Sequence, residues 1–348
     1  MLDDLKYIHE RDAQDALGIA EKQWQQLEQD FEIEYPDSFA DAEPTTNIVF
    51  AGMGGSALAA LLSQTWPGYT VPFEISRDYT PPHHLHKNTL FVASSYSGNT
   101  EETIEALGHA EEAGALIAII TSGGKLADIA REKHYPLIVL PGGFQPRFAS
   151  LFALKALITL LERAGFVKTE QAEVTLKKTA EYLQSIVSAW RADVPTKDNY
   201  AKQIALELMG KSVVIYGGPL MFPAAYKWKI SCNENAKNVA WCNEIPEFNH
   251  NEFLGWTSHP VEKPYAVVDL RSHLEHPRVL KRFEVTEKLL SGKRPAPIVI
   301  DVLGDTLLEQ LLWAVALGDF VTIYLAFLNG LNPTPVDLIE KFKKSLDS

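Results

Sequence analysis

The chain has 348 residues, of which 46% are hydrophobic and 22% are charged, and its formal net charge is -13. This length is enough for two domains of ordinary size, and the composition is that of a globular protein. The acidic balance argues against a nucleic-acid-binding protein, because such a protein needs a basic face.

Three features of the sequence bear on the cellular location of the protein, namely its cysteines, its first residues and its apolar runs. Two cysteines, Cys232 and Cys242, are too few for a disulfide framework. The acidic, polar start of the sequence does not have the form of a secretory signal, and the longest apolar runs are shorter than a membrane span. We therefore expect a cytoplasmic protein without a membrane partner.

Strand and helix patterns alternate through the first half of the sequence. Acidic amphipathic helices are predicted over 2–39, and a helix rich in Leu and Ala at 149–164. Short apolar runs predict strands at 47–52, 71–75, 90–95, 116–121 and 136–140. Strands that alternate with helices are typical of a doubly wound α/β domain with a parallel sheet.

The same pattern restarts in the second half, after a charged helical stretch at 168–191 and a predicted hinge at 192–199. The segment 212–229 parallels 47–62, since each is an apolar strand, paired glycines and a helix. Further strands are predicted at 238–242, 265–270 and 297–302, and helices at 305–329 and 335–346. We therefore expect two copies of one unit, with domain limits at 1–165, a helical connector at 166–199 and a second domain at 200–348.

Small residues and hydroxyls follow two predicted strands of the first copy. They are Gly52, Gly54, Gly55 and Ser56 after the first strand, and Ser95, Ser97 and Thr100 after the third. Loops at the carboxyl ends of parallel strands bind ligands in open α/β sheets, and the amide groups of the next helix favour an anion. The pattern predicts a phosphate site.

Two common phosphate motifs fit this site poorly. A P-loop needs Lys-Ser or Lys-Thr directly after its last glycine, and Gly55 is followed by Ser-Ala instead. The glycines of GMGGSA also lack the spacing of a dinucleotide fingerprint. Several hydroxyls suit a terminal phosphate monoester better. The second copy, GGPLMFPAA, offers no such hydroxyls, so the first copy should bind the phosphate.

Acids, asparagines and one histidine are concentrated between residues 229 and 256, where Glu234 occupies a helical position and His250 follows Phe248 and Asn249. Carboxylates and an imidazole near a phosphate site indicate proton transfer. For Glu244, Glu247 and Glu252 the alternative, that acids cap helices and face solvent, is favoured. For His250 a catalytic and a structural role both stay open.

Three other features have competing interpretations. Arg147 follows a strand, and its guanidinium could complete a phosphate clamp or form a surface ion pair. His83, His84 and His86 lack Cys or acidic residues at ligand spacing, so we expect no metal site there. We expect Cys232 and Cys242 to be buried free thiols.

Six motifs together resemble one known family, the bifunctional phosphoglucose/phosphomannose isomerases of the sugar isomerase (SIS) superfamily. They are GMGGSA, SYSGNTEET, PGGFQPR, NENAK, PEFNHNEFLGW and PTPVDLIEKFK. The resemblance covers nearly the whole chain. GMGGSA and SYSGNT alone indicate only a SIS domain, which many proteins carry. The further motifs NENAK, FNHNE and PTPV with its following Lys restrict the resemblance to the bifunctional isomerases.

The resemblance implies two flavodoxin-like SIS units in tandem, no cofactor and a homodimer. It assigns sugar-phosphate binding to Gly54, Gly55, Ser56, Ser95, Ser97, Thr100 and Arg147. Glu234 would move the proton between C1 and C2, and His250, supplied by the partner subunit, would open and close the sugar ring. Thr334 and the catalytic Lys341 would lie near the sugar hydroxyls and help ring opening. Their spacing of seven residues suggests one helical face.

The implied reaction is the interconversion of glucose 6-phosphate, mannose 6-phosphate and fructose 6-phosphate through a cis-enediol(ate). One carboxylate can remove and return the proton, while the phosphate anchor orients the reacting carbons. In PRFASLF the residues after the arginine are larger than those expected from the family. This difference affects the expected shape of the pocket and not the chemistry. A non-catalytic sugar-phosphate sensor and an isomerase of another sugar phosphate are the alternatives.

Overall fold

The computed structural model describes residues 1–39, 44–258 and 264–346. Contacts between Cα atoms divide the chain into two compact units, one of residues 23–182 and one of residues 1–22 with 183–348. The division falls at Lys22 and again inside a helix at Tyr182. The domain limits that the sequence predicts, at 1–165, 166–199 and 200–348, stay a prediction.

The N-terminal segment forms short helices instead of long amphipathic ones. Helices α1 (Leu5–His9) and α2 (Ala16–Glu21) are followed by 3-10 turns at Gln23–Leu27 and Pro36–Phe39. The carboxylates of Asp4 and Asp15 accept backbone N–H groups at the two helix starts. Such capping side chains favour new helix starts over continuation of a helix.

The first unit contains a five-stranded sheet whose strands all pair in parallel. Its strands are β1 (Asn47–Ala51), β2 (Phe73–Ser76), β3 (Thr89–Ser95), β4 (Leu116–Thr121) and β5 (Leu137–Val139). Its helices are α3 (Gly54–Ser63), α4 (Glu101–Glu112), α5 (Gly124–Lys133), α6 (Ser150–Arg163) and α7 (Ala172–Val187). The strand order β2-β1-β3-β4-β5 is the flavodoxin-like order.

The core of this unit lies on both faces of the sheet. Every residue of β3 is buried, which explains why the strand is a continuous apolar run rather than an alternating one. Val49, Phe91 and Ile119 belong to one buried cluster with Leu107 of α4 and Leu126 of α5.

The second unit contains a four-stranded parallel sheet in the order β7-β6-β8-β9. Its strands are β6 (Ser212–Gly217), β7 (Ala240–Glu244), β8 (Tyr265–Arg271) and β9 (Ile298–Asp301). Its helices are α8 (Tyr200–Leu208), α9 (Phe222–Glu234), α10 (Glu252–Gly255), α11 (Pro277–Leu290), α12 (Leu307–Leu328) and α13 (Asp337–Leu346). The order matches the first four strands of the other sheet, so the prediction of two doubly wound α/β copies is confirmed.

Helix α12 is the central helix of the second unit. It has 22 residues, and its most apolar stretch is hydrophobic and long enough to cross a membrane, yet all of that stretch is buried in the fold. The sequence predicts a helix at 305–329, and Asp319 divides its apolar segment into runs that are each shorter than a membrane span. The buried Nζ of Lys227 pairs with the Asp319 carboxylate inside the unit. Burial in the fold identifies α12 as a core helix.

The predicted hinge at 192–199 lies wholly within the second unit. The buried Nζ of Lys202 donates to the carbonyl oxygens of Ala192 and Val194, each at 2.8 Å. The Asp3 carboxylate accepts from the backbone N–H of Thr196 at 2.8 Å. These contacts anchor the backbone of the segment to its own unit at several points, and the hinge between domains stays a prediction.

The loop after β6 has the same place in the second sheet as GMGGSA has in the first. Here the Glu275 carboxylate lies at the start of α9, where it accepts from the N–H of Leu220 at 2.8 Å. A Cβ atom on Gly218 would lie 2.4 Å from Glu275 Oε1. A side chain at position 218 would displace this carboxyl group, so glycine permits the close approach. The start of α9 therefore binds a carboxyl group of its own chain.

Glu275 should make stability depend on pH. Burial raises the pKa of its carboxyl to about 7, although the N–H groups of Leu220 and Met221 lower it. The folded state therefore holds the proton more tightly than the unfolded state, so this contribution to stability is full below the unfolded pKa and is lost as pH rises towards the folded pKa. Glu275→Gln cannot ionise. Its melting temperature relative to the parent should rise between about pH 5 and pH 8, as measured by thermal unfolding.

The matched control is Glu287→Gln, which changes an exposed acid on α11. Its melting temperature should follow that of the parent across the same pH range. Parallel curves for Glu275→Gln and the parent would contradict the assignment.

Candidate active site

Two glycines of the first loop allow close contact with neighbouring backbone, and a third has a left-handed conformation. A Cβ on Gly52 would lie 2.8 Å from the carbonyl oxygen of Ser94, and a Cβ on Gly55 would lie 2.8 Å from the backbone nitrogen of Arg147. Gly54 has a φ of +48°, a left-handed conformation that glycine adopts easily. The start of α3 therefore packs against the loop after β3 and against the arginine segment, backbone to backbone.

Ser56 connects the loop after β1 with the loop after β3. Its Oγ accepts a hydrogen bond from the backbone N–H of Tyr96 at 2.9 Å. The two strands are neighbours in the sheet, so their carboxyl ends lie at the same edge. The contact joins the two loops in which the sequence analysis placed the phosphate site.

Three hydroxyls of the second loop form one cluster. Ser95 Oγ lies 2.7 Å from Thr100 Oγ1 and 3.4 Å from Ser97 Oγ. Thr100 is the residue before α4, and its side chain makes no capping hydrogen bond to that helix. The hydroxyls therefore lie beside the first N–H groups of α4, which favour an anion. The structure brings the three residues together, and their binding of phosphate stays a prediction.

Tyr96 is a residue of this site that the sequence analysis missed. Its hydroxyl donates to the carbonyl oxygen of Pro141 at 2.7 Å and accepts from the N–H of Phe144 at 3.0 Å. These bonds hold the turn that precedes Arg147, and burial raises the pKa of the Tyr96 hydroxyl. Its position between Ser95 and Ser97, two predicted phosphate-binding residues, could have identified Tyr96 from the sequence.

Arg147 is fully buried within a 3-10 turn at Pro146–Phe148. Its guanidinium carbon lies 4.6 Å from the centre of the Phe148 ring. Burial excludes the surface ion pair considered from the sequence. A buried cation next to the glycine loop can lower the energy of an anion bound there.

Glu234 is the last residue of α9 and is half-buried. Its two neighbours in the chain are anchored. Asn233 Oδ1 accepts from the N–H of Ala240 at 3.1 Å, and Asn235 Nδ2 donates to Thr322 Oγ1 at 2.9 Å. The carboxylate therefore projects from a helix end whose backbone is held on both sides.

The NENAK segment is joined to the segment that contains Thr334. Lys237 Nζ donates to the carbonyl oxygens of Asn332 and Pro333, at 2.9 Å and 3.0 Å. The backbone N–H of Thr334 donates to Asn332 Oδ1 at 3.0 Å, and its side chain is buried. The structure thus brings the region of Glu234 and the region of Thr334 together.

Thr334 and Lys341 do not share a helical face, so that expectation is wrong. Helix α13 begins at Asp337, which leaves Thr334 in the preceding loop. Thr334 is followed by Pro335, and a residue before proline avoids the helical conformation. Lys341 lies on α13, whose described side chains are all exposed. Its predicted role near the sugar hydroxyls stays a prediction.

His250 ends a 3-10 turn and is exposed on a loop that is itself anchored. Asn249 Nδ2 donates to Thr286 Oγ1 at 2.9 Å, and Asn249 Oδ1 accepts from Arg282 at 3.2 Å. The ring of Phe248 is buried against Tyr216. The loop is fixed while the imidazole points out of the fold.

The nearby acids serve the loop rather than the imidazole. Glu252 accepts from Asn243 Nδ2 at 2.7 Å and from the Tyr216 hydroxyl, and Glu247 accepts from Asn251 at 2.6 Å. Burial raises the pKa of the half-buried Glu244 carboxyl. Within residues 1–39, 44–258 and 264–346, the structure gives no acidic side chain a hydrogen bond to His250.

The remaining candidates have structural surroundings. Cys232 is fully buried and Cys242 half-buried, both are free, and burial raises the pKa of these thiols to about 12 and about 11. His84 lies 3.3 Å from the Glu74 carboxylate. In the part of the chain that the structure describes, no three His, Cys, Asp or Glu side chains form a group able to hold a metal ion.

One cavity of about 260 Å³ lies on the second unit beside the His250 loop. Its lining residues are Val214, Trp241, Glu252, Gly255, Trp256 and Tyr265. The residues predicted to bind or convert the substrate are not among them.

Known proteins resemble this chain over most of its length. A family model described as bacterial phospho-glucose isomerase C-terminal SIS domain matches residues 197–346. A protein named bifunctional phosphoglucose/phosphomannose isomerase from Aquifex aeolicus is 33% identical over 320 residues, which cover 90% of this chain and 95% of that protein. A protein of the same name from Caldicellulosiruptor bescii is 34% identical over 309 residues, covering 88% and 91% of the two chains.

A solved structure has the same fold. A glucose-6-phosphate isomerase like protein from Thermus thermophilus matches with a TM-score of 0.65 and 19% identity, over 99% of this chain and 98% of that one. At this identity the likeness concerns the fold alone, and it agrees with the two parallel sheets described above. From the identity and coverage of the sequence relatives, the chain belongs to the bifunctional phosphoglucose/phosphomannose isomerase family.

Proposed function

We propose that the protein is an aldose–ketose isomerase that interconverts glucose 6-phosphate, mannose 6-phosphate and fructose 6-phosphate. The observation that carries the proposal is the hydroxyl cluster at the start of α4, joined through Ser56 and Tyr96 to the glycine loop. Family membership supports the same substrates, since the relatives are named for both sugar phosphates.

The phosphate end of the sugar is bound by the first unit. Each proposed phosphate-binding residue offers one of three groups, which are a backbone amide at a helix start, a side-chain hydroxyl or a positive charge. They are Gly54, Gly55, Ser56, Ser95, Ser97, Thr100 and Arg147. The dianion then anchors one end of the substrate, and that binding energy orients the reacting carbons at the other end.

Glu234 carries out the proton transfer. For an aldose phosphate in its open form, the carboxylate removes the proton from C2, and the electron pair forms the C1–C2 double bond of a cis-enediol(ate). Return of the proton to C1, with the carbonyl now at C2, gives the ketose phosphate. Glucose 6-phosphate and mannose 6-phosphate differ at C2 and share this intermediate. A proton also leaves O2 and one is added at O1, so atoms and electrons balance. While the carboxylate holds the proton from C2, that proton can exchange with solvent.

His250 opens and closes the sugar ring, and it does so from the partner subunit of a homodimer. The exposed imidazole on an anchored loop supports this role, because such a side chain is presented outward in a fixed position. Thr334 and Lys341 bind near the sugar hydroxyls. We place the protein in the cytoplasm. Its two cysteines, too few for a disulfide framework, support that location.

Both aldose phosphates should be substrates. Purified protein is incubated separately with glucose 6-phosphate and mannose 6-phosphate, and fructose 6-phosphate is measured with coupled enzymes. We expect product from each. Product from glucose 6-phosphate alone removes the second activity, and no product from either sugar refutes the isomerase in favour of a sugar-phosphate sensor or an isomerase of another substrate.

Glu234→Gln should abolish exchange of the substrate C2 hydrogen with solvent deuterium, because the amide cannot accept the proton. We expect a loss of at least about a hundredfold in exchange, with binding of a non-reacting sugar-phosphate analogue nearly unchanged. Glu207→Gln, at an exposed position on α8, is the matched control and should exchange at the parental rate. Persistent exchange in Glu234→Gln would assign the base to another residue.

The partner-subunit role of His250 can be tested by complementation. Glu234→Gln and His250→Asn chains, each inactive alone, are mixed, dissociated and reassembled. Each mixed dimer regains one site with both native groups, so a random mixture should reach about a quarter of parental activity. If the mixture stays inactive while mixed dimers are isolated, His250 acts within its own chain.

A further inference from the structure

A buried polar network joins α9 and α12 close to Glu234. Lys227 Nζ pairs with the Asp319 carboxylate, and Ser231 Oγ lies 2.9 Å from both Lys227 Nζ and Asp319 Oδ1. The exposed fraction is 1% for the Lys227 side chain and 0% for that of Asp319. These three groups satisfy one another in the interior of the second unit.

A second contact of the same kind follows one turn further along α9. Asn235 Nδ2 donates to Thr322 Oγ1 at 2.9 Å, and that hydroxyl donates to the carbonyl oxygen of Gly318 at 2.8 Å. Both side chains are fully buried. The Thr322 hydroxyl is therefore an acceptor for one helix and a donor to the backbone of the other.

The two helices cannot slide past each other at this crossing. A Cβ on Gly318 would lie 2.4 Å from the Trp228 ring, and Trp228 Nε1 donates to the carbonyl oxygen of Ala314 at 2.7 Å. Lys227, Ser231 and Asn235 follow at intervals of four residues, so they lie on one face of α9. That face is held against α12 along its length.

Glu234 stands between two of these contacts. Ser231 precedes it by three residues and Asn235 follows it directly. We propose that Thr322 and Asp319 are positioning residues, which hold the end of α9 so that the Glu234 carboxylate has one fixed direction. This inference rests on the proposed function, since it gives the network a purpose only if Glu234 is the base.

Stability alone does not explain the network. A buried ion pair is often no more stabilising than apolar residues of the same volume, whereas its hydrogen bonds allow only one register of the two helices. A displacement of about 1 Å of a catalytic group can cost about a hundredfold in rate. The network therefore serves the direction of the carboxylate more than the free energy of folding.

The experiment compares Thr322→Val, which removes the hydroxyl at nearly constant volume, with Thr322→Ser, which keeps it. Thr159→Val is the matched control, because Thr159 is a buried helical threonine whose hydroxyl has no partner among the described residues. The readouts are kcat, KM and the inhibition constant of inorganic phosphate. Hydrogen–deuterium exchange of the backbone amides at 231–238 is measured for the same proteins.

We expect Thr322→Val to lower kcat by about tenfold to a hundredfold, with KM and phosphate inhibition within about twofold of the parent. Amide exchange at 231–238 should accelerate in this variant. Thr322→Ser should restore kcat to within about threefold of the parent, and Thr159→Val should match the parent in every readout.

The inference is overturned if Thr322→Val keeps kcat within about twofold of the parent, or if Thr322→Ser loses as much as Thr322→Val. Unchanged amide exchange at 231–238 overturns it as well, and that readout needs no turnover. A parent protein without isomerase activity would instead defeat the proposed function. The two failures are therefore distinguishable.

Discussion

Neighbouring parallel strands end at the same edge of a sheet, and this constraint places the loops that meet at the first helix start of each copy. In the first sheet β1 and β3 are neighbours, so the glycine loop meets the hydroxyl loop, and the Tyr96 N–H bonds to Ser56 Oγ. In the second sheet β6 and β8 are neighbours, and there the Leu220 N–H bonds to the Glu275 carboxylate. Both copies therefore have an anion-favouring helix start at a pair of adjacent loops.

The two copies use this geometry differently. In the first, hydroxyls and a buried arginine lie near the helix start where we propose that the phosphate binds. In the second, the chain's own Glu275 carboxyl group fills the corresponding place. Glu275 reaches that place because Gly218 has no side chain to obstruct it. The second copy keeps the fold, but its own Glu275 fills the place at the start of α9 where the first copy is proposed to bind phosphate. The second copy therefore carries a different part of the proposed chemistry, at the far end of α9.

The position of Glu234, the proposed base, depends on the packing of α9 against α12. The contact surface between α9 and α12 includes a buried Lys–Asp pair, whose lysine lies about two turns before Glu234, and an Asn–Thr hydrogen bond at the residue after it. Such groups are costly to bury unless each is satisfied, so the helices have one arrangement that meets the requirement. The same reasoning applies to the His250 loop, where Asn249 and Glu252 hold the backbone while the imidazole stays exposed.

The amino-acid sequence by itself determined the order of strands and helices, the presence of two α/β copies and the family. Apolar runs and glycine-rich loops report local periodicity, and NENAK or FNHNE are contiguous motifs, so these features need no knowledge of packing. Tertiary structure alone decided which distant residues meet. Asn235 and Thr322 are 87 residues apart in the chain, and Leu220 and Glu275 are 55 apart. Spacing also misjudged Thr334 and Lys341, because Pro335 delays the start of the helix. Contacts of this kind depend on how elements pack, which no local pattern records.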